Sequence, residues 1–441
     1  MIYFVLRAYC RVALWINFRK VYLEDADRIP EEPTVLFGLN HPTAFLDPII
    51  LGTHVDPWCW YMLRGDKFVN APVRWGLRQI RNLPIWRGRD AGRSGVQRNL
   101  ATMDFATDRL LLGEPTIILS EGLCRHERRL RPIQRGTARM MFQAYRKDPS
   151  KPVAIVPSAI NYTAPNEFRS SVYLSFGEPI YAADYAEDYR ADKRETIDAV
   201  TAELERRLRE LVVHVEDPRR DDLADRIVPL VTNAFPDRGY PPVGREAPAR
   251  AALHRAVERL NAMDAVALGG LTHDLERYDR LLATSGVTDE AIANLGYGSA
   301  WRALLLLITG PLAVLGLMLN YPLAVIAHRQ TVKRVSNLQF FASVRWGIGL
   351  GLYLAVTLAW TVALAFAIGW FALLVPLVFG LTGYFALLWY ESFDLWRKSA
   401  RLGALADTQL EKLTAMRAGL LATLGVRGPS ATPAHLPPRA T

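Results

Sequence analysis

Cysteine is scarce in this sequence. Three occur in 441 residues, Cys10, Cys59 and Cys124, and no two stand at metal-ligand spacing. That excludes a disulfide framework and a cysteine-based metal site, and no metal is expected. The few thiols fit a reducing compartment. A small-residue cleavage site is also missing after the apolar N-terminus, and Arg7 and Arg11 interrupt the apolar run there. A secretory signal peptide is therefore not expected. Charge is missing altogether from two stretches, 303–327 and 346–390. The second is 45 residues long, enough for two membrane spans of ~20 residues each.

Apolar and basic residues are abundant instead. Half of the chain is apolar, and 53 Lys and Arg stand against 44 Asp and Glu, a formal charge of +9. The excess is concentrated: Arg64 to Asp148 holds 18 basic and 8 acidic residues. Such a patch points to an anionic partner, whether phosphate, anionic lipid or nucleic acid. No base-reading motif is present, so nucleic acid is not the expected one. The length allows two or three domains.

Residues 2–22 mix aromatic, aliphatic and cationic side chains. A central Arg costs about 2.5–3.5 kcal/mol in a spanning helix, so an interfacial helix is expected over 1–30; a helix packed on a soluble domain is the alternative. From residue 34 to about 216, short apolar runs alternate with amphipathic stretches. Strands are predicted at 34–40, 59–64, 83–86, 115–120, 153–160 and 172–177, and helices at 48–54, 68–80, 94–112, 134–147 and 192–215. This alternation predicts an α/β domain over 31–216 with a mostly parallel sheet, its chemistry in loops beyond the strand ends. Residues 217–300 read as an irregular connector followed by a solvated helical region. A helical membrane region is expected over 301–395. The breakers Gly310-Pro311 and Asn320-Tyr321-Pro322 predict a re-entrant hairpin at 303–327, with two spans in 346–390. A polar helix and a disordered tail complete the chain at 396–441.

The first predicted strand runs into Asn40-His41-Pro42-Thr43-Ala44-Phe45-Leu46-Asp47-Pro48. Acyl transfer to a hydroxyl needs a base for the hydroxyl proton, and a neutral imidazole serves near pH 7. A carboxylate on the other ring nitrogen fixes the tautomer. His41 and Asp47 supply that pair if the loop folds back. The bland reading is that Asp47 caps a helix opening at Pro48 and His41 is a satisfied loop residue. Further on stand Leu83-Pro84-Ile85-Trp86-Arg87 and Ile118-Leu119-Ser120-Glu121-Gly122, then Arg125, Arg128, Arg129 and Arg131. Guanidinium groups on two loops suit a phosphate headgroup, although a charge run is more often a solvated face.

In these segments the chain resembles the glycerophospholipid acyltransferase family, whose four sequence blocks appear in order across 40–180. NHPTAFLD resembles the first, with His41 and Asp47 at the catalytic positions and Asn40 beside them. LPIWR resembles the second, which puts Arg87 at the phosphate-contacting position. Glu121-Gly122 carries the third and Val156-Pro157 the fourth. The segment 161–180 is similar to that of yeast-type membrane glycerol-3-phosphate and dihydroxyacetone-phosphate acyltransferases. Two departures stand out. Five residues separate His41 from Asp47 where the usual block has four, a spacing similar to that of the yeast-type branch. The position two after the third-block glycine is Cys124 and not Arg, so Arg125 or Arg128 inherits the phosphate.

The resemblance implies an αβα sandwich and a membrane-bound O-acyltransferase without cofactor. An acyl-CoA or acyl carrier protein thioester would be the co-substrate, and glycerol 3-phosphate or lysophosphatidate the acceptor. Asn40, Arg87, Glu121, Gly122, Arg125, Arg128 and Pro157 are the implied substrate-binding residues. The bilayer is the implied partner, with the active site on its cytoplasmic face; the oligomeric state stays open. The rivals are a Cys124-dependent thioesterase or lipid hydrolase and a non-catalytic basic binding protein.

Overall fold

All six predicted strands form within two residues of their expected ends in the computed structural model of the chain. The structure describes residues 2–428 apart from 33, 57, 87 and 236–240, and leaves the side chains of 2 and 88–96 undescribed. It divides into two compact units, residues 1–214 with 240–247, and residues 215–239 with 248–441.

Among the described residues, nine strands make one sheet in the first unit. They are β1 (Lys20–Glu24), β2 (Val35–Leu39), β3 (Trp60–Arg64), β4 (Asn82–Ile85), β5 (Thr116–Leu119), β6 (Ala154–Tyr162), β7 (Ser171–Phe176), β8 (Ile180–Tyr181) and β9 (Val243–Gly244). Their order is β4-β3-β5-β2-β6-β7-β1-β9, with β8 paired to β6. All pairings are parallel except β6 with β7 and with β8. Central β2 and β6 are buried at every position, which is why they read as mostly apolar runs, Ser158 and Asn161 of β6 excepted.

The helices of this unit are α1 (Ile2–Asn17), α2 (Leu46–His54), α3 (Ala71–Gln79), α4 (Gly88–Leu111), α5 (Gly136–Lys147), α6 (Ala186–Ala191) and α7 (Lys193–Leu211). Register assigns them to two faces. Leu36, Ile155 and Trp60 point to a core shared with α4, α5 and α7. Phe37, Ile117 and Tyr61 point the other way, where the Tyr61 hydroxyl lies against Gly52 of α2. The result is the expected αβα sandwich.

The N-terminal segment departs from expectation. The helix stops at Asn17, and Lys20–Glu24 continues as a sheet strand parallel to β7. The stop is a tertiary effect: the Arg169 guanidinium donates to the carbonyls of Trp15 and Phe18 at 2.8 and 2.7 Å, satisfying the helix end. One face of α1 packs on the sheet unit through Leu14 and, through Arg7, on the Gly52 carbonyl and Asp56. Phe4, Val5 and Val12 remain exposed on the other.

The second unit is helical: α8 (Asp221–Asn233), α9 (Arg250–Ala262), α10 (Ala265–Ser285), α11 (Asp289–Ala293), α12 (Ala300–Arg334), α13 (Leu338–Ile368), α14 (Val375–Leu402) and α15 (Asp407–Thr423). Residues 217–300, expected to begin irregular, are largely helical. The segments 300–334 and 338–402 are long and apolar enough to cross a membrane, and they bury little of that surface within the chain.

The hairpin expected at 303–327 does not form. Ala300–Arg334 is one helix running through both Pro311 and Pro322, about 52 Å long at 1.5 Å per residue. A proline forfeits one hydrogen bond, whereas a turn leaves several backbone groups unpaired, a larger cost in an apolar setting. α14 also packs antiparallel against the helix. Trp389 donates to the Leu306 carbonyl at 3.0 Å, Trp396 to that of Ser299 at 3.2 Å, and Asn320 to that of Phe379 at 3.3 Å. Gly316 permits the approach, since a Cβ there would run into the Thr382 carbonyl. Ser299 and Trp396 thus share one end of the pair, and the cations Arg329, Lys333 and Arg334 stand at the other. The tail expected to be disordered, from residue 429 on, lies outside the described residues.

Candidate active site

Three adjacent parallel strands, β5, β2 and β6, end at the same edge, and the site is assembled there from residues at or just past the strand ends. His41 stands two residues past β2, Glu121 two past β5, and Tyr162 closes β6.

The His41–Asp47 loop does fold back. His41 Nδ1 lies 2.8 Å from Asp47 Oδ2. Asp47 does not cap the helix: α2 begins a residue earlier, at Leu46, and no side chain caps it. The carboxylate turns inward instead. The Thr43 amide donates to Oδ2 at 2.9 Å, while the Thr43 hydroxyl and the Tyr162 phenol donate to Oδ1 at 2.5 and 2.7 Å. Asp47 is fully buried and His41 nearly so. The two carboxylate oxygens thus take part in four hydrogen bonds, and the first turn of α2 adds its dipole. With Nδ1–H donated to Asp47, Nε2 is the ring's proton acceptor.

Glu121 closes the site from the β5 side. Its Oε1 accepts the His41 amide at 3.2 Å. Burial, with the nearby Asp47 charge, pushes its carboxyl up to about 8 against the opposing His41 amide bond. Gly122 makes the turn at φ 69°, a left-handed conformation that favours glycine. The amides of His41 and Thr43 are thus committed to Glu121 and Asp47, and that of Arg125 to the His41 carbonyl at 3.3 Å. Oxyanion donors have to come from elsewhere in these loops.

The remaining expected binding residues separate into two groups. Arg125 is 59% exposed at its side chain and reaches Glu127 at 3.5 Å. Arg128 is bound to the protein instead, donating to the carbonyls of Tyr162 and Thr163 at 3.0 and 2.8 Å. A guanidinium spent this way straps the β6 end and is not an open phosphate clamp. Asn40 is likewise structural: it exchanges hydrogen bonds with the Ile160 backbone at 3.1 and 2.7 Å, continuing the β2–β6 pairing by one side chain. Pro157 is buried in β6 opposite Gly38, and its carbonyl accepts the Gly177 amide at 2.8 Å. Arg87 lies outside the described residues. Sequence reading missed Thr43 and Tyr162. Tyr162 was concealed because β6 was expected to end at 160, and no local pattern links residues 115 apart.

An acyltransferase family model matches residues 20–161. Over 81 residues, 18% of the chain, the sequence is 40% identical to glycerol-3-phosphate O-acyltransferase 2 of Saccharomyces cerevisiae. Over 255 residues, 54% of the chain, it is 28% identical to an uncharacterized acyltransferase of Schizosaccharomyces pombe. The aligned segments span 11% and 36% of those two relatives. Among solved structures it is similar to the 1-acyl-sn-glycerophosphate (LPA) acyltransferase PlsC of Thermotoga maritima, at a TM-score of 0.31 and 17% identity over 45% of this chain and 77% of that one. The matches show an acyltransferase domain over residues 20–161, with the His41–Asp47 pair at the edge of its sheet.

Proposed function

We propose that the chain is a membrane-bound O-acyltransferase that moves a fatty acyl group from acyl-CoA or acyl carrier protein onto a hydroxyl of glycerol 3-phosphate or lysophosphatidate. The observation that carries this reading is the buried His41–Asp47 pair, 2.8 Å apart, with its second ring nitrogen left as base. His41 Nε2 takes the acceptor hydroxyl proton as that oxygen attacks the thioester carbonyl. The tetrahedral intermediate collapses with loss of thiolate, which recovers the proton from the imidazolium. No covalent acyl-enzyme is needed.

Arg125, with Arg87 from the second block, is the proposed phosphate clamp. The similarity to a glycerol-3-phosphate O-acyltransferase makes glycerol 3-phosphate the first acceptor to assay. The apolar helices of the second unit would hold the enzyme at the bilayer, where acyl chains partition. We place the active site on the cytoplasmic face, where glycerol phosphate and acyl thioesters are made. If α12 crosses once, its two ends lie on opposite faces of the bilayer, and the loop-charge bias favours the cytoplasm for the end that carries Arg329, Lys333 and Arg334.

The test is purified protein in detergent, with both acceptors crossed against both donors. Transfer to a phosphate-bearing acceptor that His41→Ala abolishes and Cys124→Ala retains supports the reading. Thioester hydrolysis lost in Cys124→Ala would replace it with the hydrolase.

A further inference from the structure

We infer that Tyr162 is a positioning residue for acyl transfer, one that sets the basicity of His41 by way of Asp47; this rests on the proposed role of His41 as general base. The argument starts from where each donor to Asp47 is anchored. Two of them, His41 and Thr43, belong to the same loop as Asp47 and move with it. Tyr162 does not. It sits 115 residues away in the chain and donates to Oδ1 at 2.7 Å.

Its own position is determined by the sheet. It pairs across β7 with Val172, its ring meets that of Phe18 at 5.8 Å between centroids, and Arg128 holds its carbonyl at 3.0 Å. The five-residue spacing makes a long loop, and the phenol ties its far end to the rigid sheet.

The second consequence is electrostatic. The His41 ring and the Thr43 amide fill Oδ2, while the Thr43 and Tyr162 hydroxyls fill Oδ1. Each donor spreads the carboxylate charge and weakens its hold on a second imidazole proton. Burial first, then the Asp47 charge, raises the Tyr162 phenol well above its ordinary value, so it remains a donor throughout the working range. Removing it leaves a fully buried Asp47 oxygen short of a partner. The carboxylate then attracts the imidazolium more strongly, and His41 stays protonated to higher pH. If Tyr162 merely filled space beside Phe18, a phenylalanine would serve equally.

The experiment is kcat/KM against pH for the full-length, detergent-solubilised Tyr162→Phe variant, with the donor and acceptor that the wild type turns over best. The acid limb is expected to move up by about half to one pH unit, a loss of about three- to tenfold below the limb that recovers within about threefold above it. Thr43→Val, which removes the other Oδ1 hydroxyl, should move the limb the same way, and Thr43→Ser should restore it. The Thr43 pair carries the test if Tyr162→Phe fails to fold. An unmoved limb in both donor-deleted variants, with activity normal or lowered equally at all pH, overturns the inference alone. A wild-type protein that transfers no acyl group overturns the proposed function and this inference with it.

Discussion

Glu121 Oε1 lies 3.2 Å from the His41 amide and ties the loop after β5 to the loop after β2. Its carboxyl, pushed up to about 8 by burial and then by Asp47, binds a proton more tightly folded than unfolded. Between the ordinary Glu value and about 8 the folded state therefore holds more protons, and stability falls as pH rises through that window. Glu121→Gln keeps an acceptor for the His41 amide and removes the titration. Thermal melts should show wild type losing stability from pH 5 to 8 while the Gln variant does not, a difference of about 1.4 kcal/mol for each pH unit crossed. Parallel melting curves across that range would show that Glu121 titrates normally.

His41→Ala should abolish turnover with the fold intact, since the ring carries the chemistry. Asp47→Asn is the sharper variant. An amide nitrogen opposite Nδ1 would move the imidazole proton to Nε2 and so remove the base, a loss of about 10^4 in kcat by analogy with the triad Asp. Near-normal kcat with only a lowered melting temperature would reduce Asp47 to a structural role.

Arg125 and Arg128 should part company. Arg125→Ala is expected to raise the acceptor KM and leave the donor KM, losing one charge-assisted contact of about 1.5–3 kcal/mol, and Arg87→Ala should do the same. Arg128→Ala should instead lower the melting temperature, because two carbonyls lose their donor. Equal losses toward an acceptor lacking phosphate would refute the clamp.

A single crossing by α12 has a direct readout. Cysteines placed at Ser299 and Lys333 in sealed vesicles should be modified by an impermeant thiol reagent from opposite faces, over the background of native Cys124. Labelling of both from one face would restore the hairpin. Cysteines at Ser299 and Glu391, at the joined ends of α12 and α14, should be modified from the same face.

Six of the nine strands among the described residues, the long helices and the apolar segments were legible in the sequence because each is dictated by local periodicity; β1, read as the end of a helix, was not. A buried strand must be an apolar run, and a helix facing lipid must lack charge, whatever its neighbours. His41 and Asp47 were legible because they share one short loop. The sheet order, and with it the meeting of β5, β2 and β6 at one edge, was decided only in three dimensions. So were the end of α1 under Arg169, the continuity of α12 through its two prolines, and the diversion of Asn40 and Arg128 to backbone partners. Tyr162 is the sharpest instance. A hydrogen bond across 115 residues leaves no periodic trace, because it depends on which strands lie side by side and not on the chain neighbours of either residue.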